Sequence, residues 1–350
     1  MSSNPFNLMY GRIPNESFVD RTYVVDKIFS VFNNDNPSTM AYAITGVRGS
    51  GKTVLLRDIT NKFSLKENWI TIDLNFGSEL VISFANKLLY EGTKNNLFLD
   101  WKLTINASVV SLTIGRKKEK ITDPEIILDE MLKKLKKAGK RVLVAIDEVN
   151  NTKEIRYFAN VFQSLIGHGY DVFLLMTGLE HNIISLFNNK ATSFLSRTPK
   201  IKLGPLDVKD ISLKYQKYLS VDLEKSIELA KITKGYAFAY QVLGYYLFEL
   251  NKSPLTEVLD KFDVYMRNNG YDVIFNDLTT LEKKICLSLE GNDIQNVSDV
   301  VQRLQMSVTN FNKYRRILIE KGIIEPVEYG KISFALPRFN EFISYVKIYR

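Results

Sequence analysis

Apolar residues recur along this chain in two alternating rhythms. Val24, Val25, Ile28, Phe29 and Phe32 share helical spacing and predict a helix over 22–32. After a polar loop holding Pro37, residues 40–45 form an unbroken apolar run of the length a buried strand needs. Residues 46–52 are a glycine-rich turn, and helical periodicity resumes over 53–63. The alternation continues with strand 69–74, helix 80–91, strand 142–146, helix 154–166, strand 172–176 and strand 201–203 ahead of Pro205. Strands alternating with helices predict an α/β fold, a mostly parallel sheet over roughly residues 40–204.

Other segments break that rhythm. Residues 102–115 alternate with period two through Leu103, Ile105, Ala107, Val109, Leu112 and Ile114. They predict strands or a hairpin outside the main sheet, ending in the basic run 116–120. Pro124 then opens a helix capped by Asp123, with Ile127, Leu128, Met131, Leu132 and Leu135 on one face and lysines 133, 134, 136 and 137 on the other. Residues 207–276 are almost wholly helical in pattern. Over 278–350 the pattern gives three helices and a strand pair. The first helix is lined by Leu281, Ile285, Leu287 and Leu289, the second spans 297–304 with Asn296 or Ser298 as cap, and the third spans 309–321, closed by Gly322. Strands 323–327 and 331–335 flank Tyr329-Gly330. The expected domains are 1–205, 206–276 and 277–350.

Composition narrows the class. With 45% apolar and 25% charged residues the chain is an ordinary globular protein, neither disordered nor collagen-like. Forty-seven lysines and arginines against 39 acids give a net charge of +8, an excess that suits a polyanion partner without demanding one. The single cysteine, Cys286, excludes an intramolecular disulfide and a cysteine-built zinc site, and two histidines, His168 and His181, make a poor metal centre. A reducing, cytoplasmic setting is expected. Residues 1–6 lack the basic-then-apolar pattern of a signal peptide. The most apolar stretch, 236–250, is short and interrupted by Gln241, Gly244 and Glu249, so no membrane span is expected where about 20 apolar residues are needed.

The chemistry lies in the glycine-rich turn. Gly46-Val47-Arg48-Gly49-Ser50-Gly51-Lys52-Thr53 matches G-x-x-x-x-G-K-[ST] at every fixed position, with an apolar strand before it and a helix after it. Glycines let the backbone curl until successive N–H groups point at phosphate oxygens, and the helix N-terminus adds its positive end. Lys52 is expected to reach the β- and γ-phosphates of a nucleotide, and the Thr53 hydroxyl to ligate Mg²⁺. A partner acid should end an adjoining buried strand, and 142–146 followed by Asp147-Glu148 supplies it. Asp147 is expected at Mg²⁺, and Glu148 as the general base for the attacking water. Two acids favour hydrolysis over binding alone.

These motifs resemble an AAA+-type P-loop ATPase, of the branch containing archaeal-type STAND ATPases and origin-recognition initiators. Phe18-Val19-Asp20-Arg21 is close to that family's F-V-G-R-E element near the adenine, so the resemblance implies Val19 and Arg21 as nucleotide contacts, with Asp20 replacing the glycine and Thr22 the acid. Tyr10-Gly11-Arg12-Ile13-Pro14 falls where the family's lead-in segment lies. Thr177-Gly178 ends a strand at the sensor-1 position, implying that Thr177 feels the γ-phosphate or its water. Ser196-Arg197 resembles the segment carrying an arginine finger, which in a homo-oligomer reaches a neighbour's γ-phosphate. A plain surface arginine stays open there, as does charge supplied by Arg48 from within the subunit. Gly204-Pro205-Leu206 resembles the junction into a helical lid, with ATP and Mg²⁺ expected between the α/β part and the lid. Residues 233–238 resemble the t-x-G-x-P lid motif with Ala237 in place of proline. A sensor-2 arginine is missing, and Lys234 is a weak substitute, which leans towards the STAND-like branch.

Residues 278–350 resemble a winged helix-turn-helix. Its third helix turns Phe311, Tyr314, Ile317 and Leu318 inward, and sets Thr309, Asn312, Lys313 and Arg316 on another face at spacings that suit a major groove. Glu282, Asp299, Glu320, Glu325 and Glu328 keep the module's positive excess small. Two main functions follow, beside a third in which the chain binds nucleotide with negligible turnover. One is a slow, DNA-associated ATP switch in replication initiation, transposition or mobile-element maintenance, engaging double-stranded DNA. The other is a STAND-type signalling or defence ATPase whose winged helix binds protein. The lysines at 117–120 and 133–140 are candidate further phosphate contacts, with a solvated helix face as the alternative for the second run.

Overall fold

A computed structural model describes residues 3–9, 11, 16–75, 79–106, 109–114, 117–289, 291 and 294–350. The chain divides into two compact units, one made of Arg21–Thr45 and Lys52–Lys202, the other of Met1–Asp20, Gly46–Gly51 and Leu203–Arg350.

The first unit runs α1 (Thr22–Phe32), β1 (Ala41–Thr45), α2 (Lys52–Ser64), β2 (Trp69–Leu74), α3 (Leu80–Lys94), β3 (Trp101–Asn106), β4 (Val109–Ile114), β5 (Lys117–Ile121), α4 (Pro124–Lys137), β6 (Arg141–Ile146), α5 (Lys153–Gly167), β7 (Val172–Gly178), α6 (Glu180–Phe187), a 3-10 segment Lys190–Arg197 and β8 (Lys200–Lys202). Its sheet has the order β2-β6-β7-β1-β8, and every pair is parallel. β1 and β7 are buried along their whole length and β6 along nearly all of it, which explains runs without polar alternation: helices cover both faces. The acid-bearing strand β6 does not adjoin β1, contrary to expectation; β7 lies between them. The runs 142–146 and 172–176 are equally apolar, so periodicity carries no information about which sits beside β1. One face packs Phe84, Leu128, Met131, Phe158 and Leu174. On the other, Phe32, Phe63, Trp69 and Phe173 pack as tilted rings with centroids 4.4–6.1 Å apart.

The basic run 117–120 falls in β5, the third strand of an antiparallel sheet β3-β4-β5 outside the main sheet. Ala107 and Arg116 lie outside the described residues. On α4, Asp123 caps as expected, accepting from the Glu125 N–H at 2.8 Å. The lysines beyond it have local partners. Lys136 donates to the Gly169 carbonyl at 2.6 Å and Lys140 to that of Glu67 at 2.5 Å, while Lys133 and Lys134 face Glu130 and Asp100.

The second unit contains α7 (Val208–Leu219), α8 (Leu223–Ile232), α9 (Ala237–Glu249), α10 (Leu255–Met266), a π-helical turn Arg267–Tyr271, α11 (Asp272–Asn276), α12 (Thr280–Ser288), β9 (Ile294–Asn296), α13 (Val297–Leu304), α14 (Val308–Glu320), β10 (Ile324–Glu328), β11 (Lys331–Phe334) and α15 (Phe339–Tyr349). Phe6 threads the N-terminal segment into the lid helices, against the rings of Tyr215, Tyr218 and Tyr240. Of the lead-in segment, Tyr10, Arg12, Ile13 and Pro14 lie outside the described residues.

Helices α12, α13 and α14 with the β10–β11 hairpin form a winged helix. Two elements go beyond the expected three helices and strand pair. β9 pairs antiparallel with β11, and its three residues are too few to show a period. α15 buries Phe339, Phe342, Ile343 and Val346 at helical spacing. Asn296 stands at the N-cap of α13 without a side-chain cap bond, its amide donating to Asp299 instead. Among the described residues, no helix is long and apolar enough to cross a membrane.

Candidate functional site

In the first unit, three elements end at one place. Lys52, buried, and Thr53 open α2; Asp147 follows the last residue of β6; Thr177 lies near the end of β7. The Thr53 hydroxyl donates to Asp147 Oδ2 at 2.6 Å. The fully buried Thr177 hydroxyl donates to the other oxygen, Oδ1. The Glu148 N–H adds bonds to Asp147 Oδ1 at 3.0 Å and to Thr177 Oγ1 at 3.2 Å, and the Val149 N–H donates to the Thr177 carbonyl at 2.8 Å. Asp147 is therefore held on both oxygens.

Glu148 adopts φ +55°, left-handed for a side chain with a Cβ, and is exposed. The surrounding bonds hold this uncommon conformation, as is frequent where function sets backbone geometry. A carboxylate and a hydroxyl converging on each other are hard oxygen donors of the kind Mg²⁺ takes, so these residues fit the expected metal.

Two residues that the motifs did not single out belong here. Asp73 on β2 pairs in register with Ala145 of β6. Burial pushes its carboxyl above the usual range, Lys87 and Arg57 pull it down, and the charge of Asp147 pushes it up again. Its only signal in the sequence is an acid inside the apolar run W-I-T-I-D-L. Asn151 ties the segment after Glu148 to α6 and α5: its amide donates to Ser185 at 3.0 and 3.1 Å, and its oxygen accepts from Arg156 at 2.8 Å. Arg197 ends the 3-10 segment, exposed, with no ion pair to any described residue. Arg21 stands at the N-cap of α1, where burial lowers its guanidinium pKa.

In the second unit, the loop 46–51 carries φ +77° at Gly49 and +91° at Gly51, and the Ser50 N–H closes a turn on the Val47 carbonyl at 3.2 Å. Arg48 faces Asp277 at 3.6 Å, both largely exposed, an ion pair worth little. Val47 packs against the apolar core shared by the lid and the winged helix. Val19 is buried with Phe6, Leu206, Ile211 and Tyr215 in the lid core. Lys234 donates to the Phe334 carbonyl at 2.6 Å and pairs with Glu325 at 3.6 Å, so its ammonium is committed to the winged helix.

On α14, Phe311 and Leu318 are buried, and Thr309, Asn312, Lys313 and Arg316 are all exposed. Lys313 lies 5.7 Å from the Tyr314 ring centre, and Arg316 is 3.8 Å from Glu320. The wing exposes Glu325, Val327, Glu328 and Tyr329.

The sequence matches, over residues 18–227, the family described as an ATPase domain predominantly from Archaea, and over 268–343 a domain of unknown function. No curated protein matches. The Walker-type ATPase PABY2304 of Pyrococcus abyssi superposes with a TM-score of 0.66 at 14% identity, covering 95% of this chain and 98% of that one. The ORC2 protein of Aeropyrum pernix, solved as ADPNP–ADP complexes, gives 0.64 at 13% identity over 97% and 96%. Cdc6p of Pyrobaculum aerophilum gives 0.50 at 15% identity over 97% and 96%. At such identities these likenesses establish the fold.

Proposed function

This chain belongs to the family of ATPase domains found predominantly in Archaea, and from that premise we propose that it is an ATP-driven switch whose winged helix engages double-stranded DNA. It is an ATP-hydrolysing enzyme. The convergence of Thr53 and Asp147 at 2.6 Å is the observation that carries the mechanism.

The curled backbone of 46–51 and the N-terminus of α2 bind the β- and γ-phosphates, and Lys52 neutralises them. Thr53 and Asp147 would hold Mg²⁺, which supplies positive charge to the phosphate oxygens when bound. Glu148 takes the proton of the attacking water. Thr177 keeps Asp147 and the Glu148 backbone in place, so any response to the γ-phosphate would pass through these two acids. Arg197, exposed and unpaired among the described residues, is available to a second copy of the chain; turnover per subunit that rises with protein concentration supports that role, and a constant rate rejects it.

Calorimetry with Mg-ATP, beside phosphate release by wild type and Glu148→Gln, tests the enzyme. Saturable binding by both, with release by wild type alone, is expected. No heat and no saturation in wild type rejects the reading.

DNA engagement rests on the exposed quartet of α14. Lys313→Ala should weaken binding uniformly across sequences and lower the salt slope by about one. The exposed wing favours a second reading, because Glu325 and Glu328 are paired with Lys234 and Lys331 and leave the wing no surplus positive charge for phosphate, while Val327 and Tyr329 suit a protein surface. Unchanged DNA affinity in Lys313→Ala, with nucleotide-dependent assembly, selects protein contact instead.

A further inference from the structure

The phosphate motif accounts for the inner side of the loop 46–51 and leaves its outer side unexplained. There the lid segment at the start of α9 takes two of its carbonyls. The Tyr236 hydroxyl donates to the Arg48 carbonyl at 2.6 Å, and the Phe238 N–H donates to the Gly49 carbonyl at 3.1 Å. We propose that Tyr236 is a positioning residue for the phosphate loop, holding the Arg48–Gly49 peptide in the orientation that presents the Gly49 N–H to an anion.

The Arg48 carbonyl and the Gly49 N–H belong to one planar peptide and point in opposite directions. Fixing the carbonyl on Tyr236 aims the N–H away from the lid. The next peptide is fixed at both ends, since its carbonyl meets Phe238 and its N–H closes the turn on Val47. Both peptides are thus set before any phosphate arrives, and a preset nest loses less freedom on binding than a free one.

Three features show a built contact. Gly49 is required twice over, by its φ of +77° and because a Cβ there would run into the Tyr236 hydroxyl. The Phe238 N–H is a first-turn donor of α9, and the N-cap, Tyr236, supplies no side-chain cap; the Gly49 carbonyl serves instead. The Tyr236 ring is buried in the core shared with the winged helix, so the hydroxyl is aimed by packing.

This inference rests on the loop's role as a phosphate site, and Tyr236→Phe tests it, since the ring stays and only the hydroxyl goes. Amide exchange of the nucleotide-free protein over 47–51 should speed up at least several-fold, because a net hydrogen bond of this kind is worth about two- to tenfold in an equilibrium. Calorimetry with ADP and with Mg-ATP should show affinity weakened about three- to tenfold. KM for ATP should rise by the same factor, with kcat at saturation within about twofold of wild type. The unfolding midpoint without nucleotide should stay within about 2 °C, whereas a merely structural tyrosine would move the midpoint and leave the KM-to-kcat split alone. A wild type that binds no nucleotide overturns the ATPase reading. A variant with wild-type exchange over 47–51 overturns the present inference whatever the wild type binds, and so does unchanged nucleotide affinity in a wild type that binds.

Discussion

The Thr53 hydroxyl donates to the Asp147 carboxylate at 2.6 Å across 94 positions of sequence. The helix that opens at Lys52 and the strand that ends before Asp147 thus meet through the two oxygens that a divalent cation would share. The two side chains divide the metal's work, and this can be read by removing the metal. Asp147→Asn should leave ATP affinity in chelator within about twofold of wild type, weaken Mg-ATP binding by tenfold or more, and lower turnover by about a hundredfold or more. Thr53→Ala should do the same more mildly. Equal loss of affinity with and without Mg²⁺ would mean that these residues bind phosphate and not metal.

Glu148 supplies a second test, because its role in chemistry and its role in stability have opposite signs. Its φ of +55° costs a residue with a Cβ about 1–2 kcal/mol, and glycine escapes that cost while losing about 0.5–1 kcal/mol to chain entropy. Glu148→Gly should therefore stabilise the protein by about 0.5–1 kcal/mol in denaturant unfolding and reduce phosphate release by about 10²–10⁴-fold. A variant that is both less stable and still active would refute the assignment.

Much of this was legible in the sequence where the signal is local. The cap at Asp123, the phosphate loop between an apolar run and a helix, and the buried Phe311 and Leu318 of α14 are each written within about fifteen consecutive residues, whereas Tyr314 and Ile317, expected inward, are only half-buried. What escaped was non-local. Strand order is set by which apolar runs pack together, so the position of β7 between β1 and β6 had no local mark. Asp73 became part of the site only because β2 registers against β6, bringing it opposite Ala145. Lys234 read as a weak lid cation, and it is engaged by Phe334 and Glu325, about a hundred positions away.

The winged helix should show a defined response to acid. Glu282 is 2% exposed, pairs with Lys321 at 2.8 Å, and completes a capping box with Thr279. Burial pushes its carboxyl up, but the Lys321 ammonium and the Thr279 N–H outweigh that and hold it below the usual range. A carboxyl lowered on folding adds stability above its unfolded value, about 4.3, and loses it as pH falls through the folded value. Glu282→Gln should destabilise the protein at pH 7 by about 3 kcal/mol, the low end for a broken buried pair because Lys321 keeps some solvent contact. In urea unfolding the gap from wild type should shrink between pH 5 and pH 3. A gap that persists unchanged at pH 3 would show that packing, and not the charge pair, is responsible.

Gly322, which closes α14, has φ +67°, and a Cβ built there would overlap Val47 Cγ1 of the phosphate loop, with Val47 Cβ at 3.2 Å. Gly322→Ala combines a strained backbone with a steric conflict and should cost about 2–3 kcal/mol. Val47→Ala alone, removing two methyls from a half-buried contact, should cost about 1 kcal/mol. If the contact is the cause, the double variant should be milder than the sum by at least about 1 kcal/mol, since the overlapping methyl is gone. Val47 belongs to the loop that takes phosphate, so the conflict should also appear as weaker ADP binding in Gly322→Ala, partly restored in the double variant. Strictly additive unfolding energies, with unchanged ADP affinity throughout, would show that the winged helix and the loop do not communicate through this pair.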